Sequence, residues 1–308
     1  DEAHLTFDDY IQQAVIEPIE AVQKISKQDK IHTVGYCVGG ALLGCALAVL
    51  AKRDQAQPAA SMTLLMSLYD AADPGEIGVY LNRNAVELRD RVSGGAGIFS
   101  GKDLTRVFSS LRANDMIWGF VINNYLKGKT PDAFNLFYWN TDDTNVPWPM
   151  FSYYLREGYL DNHLIVPDAM TVLGTPVDLR NIPCPVYGFA AVDDHLVPWK
   201  SAYQSGRHLG GPTTFVLGGG GHITGPINPV ARNRRNYWLN DDYGGDPDTW
   251  LEQAESHPGS WWPHWDAWLQ EHGSDKMIKA PKKPGDRQHP ALEPAPGTYA
   301  RMRSALVE

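Results

Sequence analysis

The chain has 308 residues, of which 43% are hydrophobic and 20% charged, the balance of a globular protein with a sizeable buried core. Its formal net charge of −9 argues against a nucleic-acid partner, because binding phosphates needs a basic surface. The longest apolar run, residues 41–51, is too short to span a bilayer, and the acidic, polar start has no secretory signal. We therefore expect neither a nucleic-acid partner nor a membrane span.

The three cysteines are too few for a disulfide framework. We expect a reducing, cytoplasmic setting for the chain. Cys45 falls inside an apolar helical pattern, and Cys184 lies between two prolines at the start of a strand pattern. Both are expected to be buried and inert.

The first predicted elements alternate between helix and strand. "TFDDYIQQAVIEPIEAVQKISK" has apolar residues at helical spacing, with Thr6 as its N-cap. "KIHTVGY" then predicts a short strand, "GGALLGCALAVLAKRD" a buried helix, and "AASMTLLMSLYDAAD" another buried strand. Strand, helix and strand in this order predict a mostly parallel sheet with crossover helices, and hence an α/β fold.

The pattern changes after the second strand and later returns. Residues 74–168 contain helical segments and aromatic, proline-broken loops without a clear strand, and "CPVYGFAAVDDH" and "TTFVLGGGGH" then resume the strands. We predict a first part of the core in residues 1–73 and a helical cap or lid insertion in residues 74–168. Residues 169–308 form the second part of the core and a C-terminal tail.

The segment "GYCVGG" places a cysteine in a glycine-rich turn between the predicted strand and helix. In such an elbow the nucleophile sits on a strained turn, which exposes Cys37 and brings the Val38 N–H to a helix N-terminus. That N–H can bind an oxyanion, and the helix terminus favours a thiolate. The alternative is a buried cysteine beside a glycine-rich helix start.

A cysteine nucleophile needs a base and a group that orients the base. In this arrangement an acid and then a histidine follow the nucleophile along the chain. "VYGFAAVDDHLVPW" offers Asp193 and Asp194, and "FVLGGGGHITGPINP" offers His222. The alternatives are a helix N-cap or solvated turn for the aspartates, and a solvent-facing loop histidine for His222.

The remaining histidines and motifs give weaker indications of a functional site. His195 can hydrogen bond near the site. His257 and His264 lack the cysteines or carboxylates that would complete a metal site, so we expect no metal. The sequence contains neither a GxxxxGK[ST] phosphate loop nor a dinucleotide GxGxxG, and we expect no cofactor.

Five segments together carry a family resemblance: "GYCVGG", "FYWNTDDTNVPWPM", "VDDHLVPW", "GGGGHITGPINP" and "SWWPHWDAWL…LEPAPGTY". In this order they resemble the polyhydroxyalkanoate synthases, and the "CVGG" box looks most like the class I enzymes. The resemblance covers nearly the whole chain. It implies the catalytic domain of such a synthase, with an α/β-hydrolase core and a helical cap.

The resemblance also implies the chemistry. Cys37 matches the nucleophile, His222 the general base, and Asp194, which precedes "HLVPW", the triad acid. The implied reaction polymerises (R)-3-hydroxyacyl-CoA, with 3-hydroxybutyryl-CoA the expected monomer, and releases CoA through an acyl-cysteine intermediate. The implied partners are the growing polyester, the surface of its cytoplasmic granules and a second copy of the chain.

Only one helix and one strand precede Cys37, so we expect the chain to be truncated at its N-terminus relative to that family. The second oxyanion donor usually comes from an earlier loop, so the sequence does not name it. A cysteine-dependent acyl-CoA thioesterase of the same fold would share the acyl-cysteine and use water as the acceptor. A granule- or lipid-surface binding module without activity is the third hypothesis.

Overall fold

The computed structural model describes residues 2–130, 142–274, 278–281 and 283–302. Its central sheet has six strands in the order β1-β2-β7-β8-β9-β10. These strands are Ile31–Tyr36 (β1), Ala59–Leu65 (β2), Val186–Ala191 (β7), Thr213–Gly218 (β8), Asn236–Leu239 (β9) and Glu255–Pro258 (β10).

The first four strands of the sheet are parallel, with Cys37 following β1 and the two aspartates following β7. Strands β9 and β10 extend the sheet antiparallel beyond β8. The mostly parallel α/β sheet predicted from the sequence is therefore confirmed. Because the carboxyl ends of parallel strands lie at one edge, the turns after β1, β7 and β8 meet there.

The first helix, α1, consists of three consecutive segments, Phe7–Asp9, Tyr10–Ile16 and Glu17–Ser26. Thr6 caps it as predicted, and Thr6 and Asp9 form a reciprocal capping box. The middle segment is π-helical and ends just before Pro18, whose nitrogen has no proton to donate.

Helix α2, Val38–Lys52, follows Cys37 and is buried on all sides over residues 40–50. It packs with α1 against one face of the sheet, as its uninterrupted apolar sequence predicts. The other face carries aromatic residues of the helix Trp262–Glu271, which covers β7 and β8.

Between β2 and β7 the described residues are mainly helical. They include α3 (Arg83–Ser93), α4 (Gly101–Leu111), α5 (Trp148–Tyr154) and shorter turns of 3-10 or π-helix. Two small antiparallel ladders also occur, β3 (Ile98–Phe99) with β4 (Val146–Pro147) and β5 (Thr171–Val172) with β6 (Thr175–Pro176). The expectation of no strand in residues 74–168 was thus wrong for β3 and β4, which are too short to show a strand periodicity. The first residues of "FYWNTDDTNVPWPM" lie outside the described residues.

The remaining helices follow β7. They are α6 (Trp199–Gly206), α7 (Pro247–Glu252) and α8 (Trp262–Glu271). Across the described ranges, no helix combines the length and the apolar character that crossing a membrane requires.

Candidate active site

Cys37 occupies a strained turn between β1 and α2. Its backbone has φ 53° and ψ −124°, a conformation that a non-glycine residue rarely adopts. The Cys37 N–H donates to the Leu65 carbonyl of β2 at 2.9 Å, and the Cys37 carbonyl accepts from Gly40 at 3.0 Å. These bonds hold the turn at both ends, so the side chain stands where the strand becomes the helix.

At two of the three glycines around Cys37 there is no room for a Cβ atom. A Cβ on Gly35 would lie 2.5 Å from the Gly40 Cα, and one on Gly40 would overlap the Ser67 side chain. A Cβ on Gly39 would meet no atom within 4 Å. The close approach of β1, α2 and the segment after β2 therefore needs Gly35 and Gly40, but not Gly39.

Val38 is the first residue of α2, so its N–H has no acceptor within the helix. Its side chain is 38% exposed, which leaves the start of the helix open to the surface around Cys37. The positive end of the helix dipole lies at the same point. The geometry is that of a backbone donor available to a negative oxygen bound at Cys37.

His222 and Asp194 form a buried pair at the carboxyl ends of β8 and β7. The His222 Nδ1 lies 2.8 Å from the Asp194 Oδ2, and the Asp194 side chain has no exposed surface. The other oxygen, Oδ1, accepts the N–H groups of Leu196 and Val197 at 2.9 and 3.0 Å. Both carboxylate oxygens are thus occupied, and the imidazole is held with its Nε2 directed away from Asp194.

The contact between Asp194 and His222 affects the protonation of the His222 imidazole. Burial opposes a positive charge on His222, but the hydrogen bonds with Asp194 and Cys37 outweigh it and raise the pKa of His222 to about 10. His222 is therefore an imidazolium at neutral pH. Cys37 contributes to the raised pKa of His222, which indicates that the three residues proposed from the sequence lie near one another.

The structure separates the two adjacent aspartates. Asp193 is exposed, whereas Asp194 is buried on His222. His195 is half-buried beside them, and burial lowers the pKa of its imidazole. Cys45 and Cys184 lie in the core, where burial raises their thiol pKa values to about 12 and about 11, as inert thiols require.

Sequence reasoning missed Tyr36, the residue before the nucleophile. Its hydroxyl donates to the His222 carbonyl, and the two rings meet edge to face at 5.5 Å. Burial and the nearby Cys37 and Asp194 charges raise the pKa of Tyr36, so the phenol keeps its proton for this bond. The only sign of this role in the sequence was that Tyr36 directly precedes Cys37.

Two tyrosines from the segment before residue 168, the buried Tyr154 and the partly buried Tyr159, were also missed. The rings of Tyr154 and Tyr159 meet edge to face at 5.4 Å. Burial is the main cause that raises the pKa of Tyr159 to about 12, and the charge of Cys37 adds to it. Tyr154 experiences the same two influences. The aromatic-rich sequence there gave no sign of which rings approach the cysteine.

An apolar cavity of about 340 Å³ adjoins the histidine loop. Tyr36 and Ile223, the neighbours of Cys37 and His222, line it together with three tryptophans, Trp261, Trp262 and Trp265. The indole N–H of Trp261 is buried and has no hydrogen-bond partner within the described part of the chain. A larger cavity of about 480 Å³ is lined by residues of α1 and α5 and by none of Cys37, Asp194 or His222.

One group of side chains could in principle hold a metal ion. Donor atoms of Glu157, Asp161 and His163 lie within 4.8 Å of one another. Arg83 pairs with Asp161, and His163 and Glu157 hydrogen bond with each other, so these donor atoms already have partners within the chain. His257 and His264 do not belong to this group.

Comparison with known proteins assigns the chain to a family. Residues 1–229 match the model of the alpha/beta hydrolase fold. Among solved structures, the monoacylglycerol lipase of Paleococcus ferrophilus superposes with a TM-score of 0.44 and 12% sequence identity. That superposition covers 88% of this chain and 77% of the lipase.

Two curated relatives are poly(3-hydroxyalkanoate) polymerases or a subunit of one. The subunit PhaC of the Cupriavidus necator poly(3-hydroxyalkanoate) polymerase is 47% identical over 97% of this chain and 51% of its own length. Poly(3-hydroxyalkanoate) polymerase 1 of Ectopseudomonas oleovorans is 36% identical over 94% of this chain and 51% of its own length. The chain thus spans about half the length of these relatives.

The match to the fold family agrees with the mostly parallel sheet of the structure. The resemblance stated from the sequence is confirmed. The chain belongs to the alpha/beta hydrolase fold family, and within it to the relatives of the poly(3-hydroxyalkanoate) polymerases.

Proposed function

We propose that the chain is the catalytic part of a poly(3-hydroxyalkanoate) polymerase, an acyltransferase that joins (R)-3-hydroxyacyl units from CoA and releases CoA. The observation that carries the proposal is a cysteine, rather than a serine, in the elbow beside the hydrogen-bonded Asp194–His222 pair. The similarity to the polymerases over nearly the whole chain supports it.

A cysteine suits this reaction energetically. Acyl transfer from CoA to a serine would form an ester and lose the thioester's reactivity. Transfer to Cys37 exchanges one thioester for another, so the later attack by a hydroxyl group stays favourable. The attacking and leaving thiolates are also of similar basicity.

The first half of the reaction transfers the acyl group to the enzyme. The sulfur of Cys37 attacks the thioester carbonyl, and the Val38 N–H stabilises the oxyanion that forms. The carbon–sulfur bond to CoA then breaks, and the CoA thiolate takes the proton from the His222 imidazolium. The products are acyl-Cys37 and free CoA.

The second half extends the chain. The hydroxyl group of a second hydroxyacyl unit attacks acyl-Cys37, and His222 accepts its proton as the ester bond forms. The Cys37 thiolate leaves, which restores the starting pair. Asp194 has both oxygens occupied, by His222 and by two backbone N–H groups, and this supports its role in orienting His222 over activation of the substrate hydroxyl.

The cavity beside His222 fits an acyl product. Its wall is almost wholly apolar, which suits a methyl-branched polyester. We propose that residues 74–168 act as a lid that excludes water from acyl-Cys37. We also propose a second copy of the chain and the surface of a cytoplasmic polymer granule as its partners.

Incubation with (R)-3-hydroxybutyryl-CoA tests the function, with free CoA measured over time and the protein analysed by mass spectrometry. We expect CoA release and an oligomeric ester on Cys37, both absent in the Cys37→Ala variant. The matched control Cys45→Ala removes a buried thiol and should retain the activity.

The same experiment separates the alternatives. Release of CoA with only free 3-hydroxybutyrate would identify a thioesterase that shares the acyl-cysteine. The absence of CoA release from the unmodified protein would favour a binding module, and full activity in Cys37→Ala would refute the assignment of the nucleophile.

A further inference from the structure

The loop after His222 carries a local positive charge in an acidic chain. Three arginines, Arg232, Arg234 and Arg235, fall within four positions, whereas the whole chain has a formal net charge of −9. All three side chains are exposed. The cluster begins ten residues after His222 in the sequence.

The backbone of this loop is held by buried hydrogen bonds. Asn228, which is only 5% exposed, donates its Nδ2 to the Arg234 carbonyl at 2.7 Å and to the Gly259 carbonyl at 3.3 Å. The Gly259 N–H in turn donates to the Arg235 carbonyl at 2.7 Å. The carbonyls of two of the three arginines are therefore fixed, and the exposed side chains extend from a defined backbone.

The loop also maintains an unfavourable backbone conformation. Asn233 has φ 40° and Arg235 has φ 66°, both in the left-handed region that residues with a Cβ seldom adopt. The Asn233 Oδ1 accepts the Ser260 N–H at 3.2 Å, which anchors the turn. Strain that the surroundings maintain is concentrated at functional positions of proteins.

The three arginines lack carboxylate partners. Within the described ranges none of them forms an ion pair, although six other arginines, Arg83, Arg91, Arg106, Arg112, Arg156 and Arg180, each pair with a carboxylate. Arg235 instead donates to the Thr224 carbonyl, two residues from His222. The cluster is thus tied to the histidine loop while its charge remains uncompensated.

We propose that this arginine cluster binds the phosphate groups of the CoA part of the substrate, an inference that rests on the proposed function. Guanidinium groups bind phosphate through paired, charge-assisted hydrogen bonds. The pantetheine arm of CoA separates the thioester from the phosphates, so the phosphates bind at the surface while the carbonyl reaches Cys37. Because the three arginines are exposed, their contribution to CoA binding is moderate and weakens as the salt concentration rises.

The test compares two thioesters that differ in phosphate. The variant Arg232→Ala/Arg234→Ala is assayed with (R)-3-hydroxybutyryl-CoA and with the N-acetylcysteamine thioester of the same acid, which has no phosphate. We expect kcat/KM for the CoA thioester to fall about three- to tenfold and that for the short thioester to stay unchanged. The dependence of kcat/KM on salt should also weaken.

A matched control removes the same charge elsewhere. Arg91→Ala/Arg207→Ala replaces two exposed arginines of other helices and should leave the preference between the thioesters unchanged. An equal loss on both substrates, or no loss on either, in the Arg232→Ala/Arg234→Ala variant would overturn the inference.

Calorimetry makes the inference independent of turnover. CoA should bind the unmodified protein more tightly than the Arg232→Ala/Arg234→Ala variant, and pantetheine should bind both equally. Equal affinity of both proteins for CoA would overturn the arginine site. If the unmodified protein turns over neither thioester, the proposed function fails, and the calorimetric comparison still decides whether the cluster binds CoA.

Discussion

The nucleophile turn and the histidine loop meet at one edge of the sheet, but different forces position them. The turn at Cys37 is set by sterics, because Gly35 and Gly40 allow strand and helix to approach where a Cβ would collide. The loop of His222 is set by polar contacts, with Asp194 on its ring and Tyr36 on its carbonyl.

This difference predicts which kinds of change displace Cys37 and which displace His222. Steric positioning does not change with pH, and it is lost only when an atom is added or the core is repacked. Polar positioning depends on the protonation of the groups involved and can be lost without a change of volume. Three tests probe this contrast: two substitutions with their controls and a pH dependence.

The largest effect is expected from Asp194→Asn, which preserves volume and changes only charge. Its Oδ1 can still accept the N–H groups of Leu196 and Val197, so the loop should fold. The amide that replaces Oδ2 cannot stabilise the imidazolium of His222. We expect kcat for CoA release to fall about 10²- to 10⁴-fold. The free energy of unfolding at neutral pH should also fall, because the imidazolium loses its partner.

The neighbouring variant Asp193→Asn is the control, because Asp193 is exposed and does not contact the ring. It should retain nearly full activity. If the two variants lose activity equally, Asp194 is not the group that orients His222.

Gly35→Ala tests the steric half of the comparison. Its new methyl group would lie 2.5 Å from the Gly40 Cα, so strand and helix must separate. We expect the free energy of unfolding to fall by about 1–3 kcal/mol, measured by urea denaturation. Gly39→Ala adds the same methyl group into open space and should be neutral or slightly stabilising. Equal destabilisation by both variants would contradict the steric account.

The third test is a pH dependence of stability. The pKa of His222 is about 10 in the folded protein against an ordinary value of 6.5, so the folded state binds its proton more tightly. This stabilisation is fully present below pH 6.5 and is lost as the pH rises towards 10. We therefore expect the free energy of unfolding to decline across this interval.

His222→Gln removes the titrating group and serves as the reference for that pH series. The difference in the free energy of unfolding between the two proteins should shrink as the pH rises from 6.5 to 10. A difference that stays constant over this interval would show that the pKa of His222 is not raised.

The sequence predicted best those elements whose structure is determined by residues that are neighbours in the chain. The β1–Cys37–α2 turn follows from a buried strand, spaced glycines and an apolar helix that are adjacent in the chain. Asp194 was chosen over Asp193 through the family resemblance, and the structure shows a local difference between the two. The Oδ1 of Asp194 accepts two backbone N–H groups, two and three residues later, which fixes the side chain behind the turn.

The features that the sequence did not reveal depend on distant contacts. Tyr36 and the His222 carbonyl are 186 positions apart, and no local pattern couples them. Strands β9 and β10 are four residues each, too short for periodicity, and they form because β8 offers an edge to pair with. The contact between Tyr154 and Tyr159 and their burial likewise depend on how a helical segment packs on the core.

The burial of α2 has a consequence for the lifetime of the site. Local opening of a protein starts where few apolar contacts must be broken, and it reaches fully enclosed segments only through global unfolding. Residues 40–50 of α2 are buried on all sides, so this helix belongs to the last part of the molecule to open. Cys37 stands at its first turn. Local openings elsewhere in the molecule should therefore leave residues 40–50 in place, and with them the helix that follows Cys37.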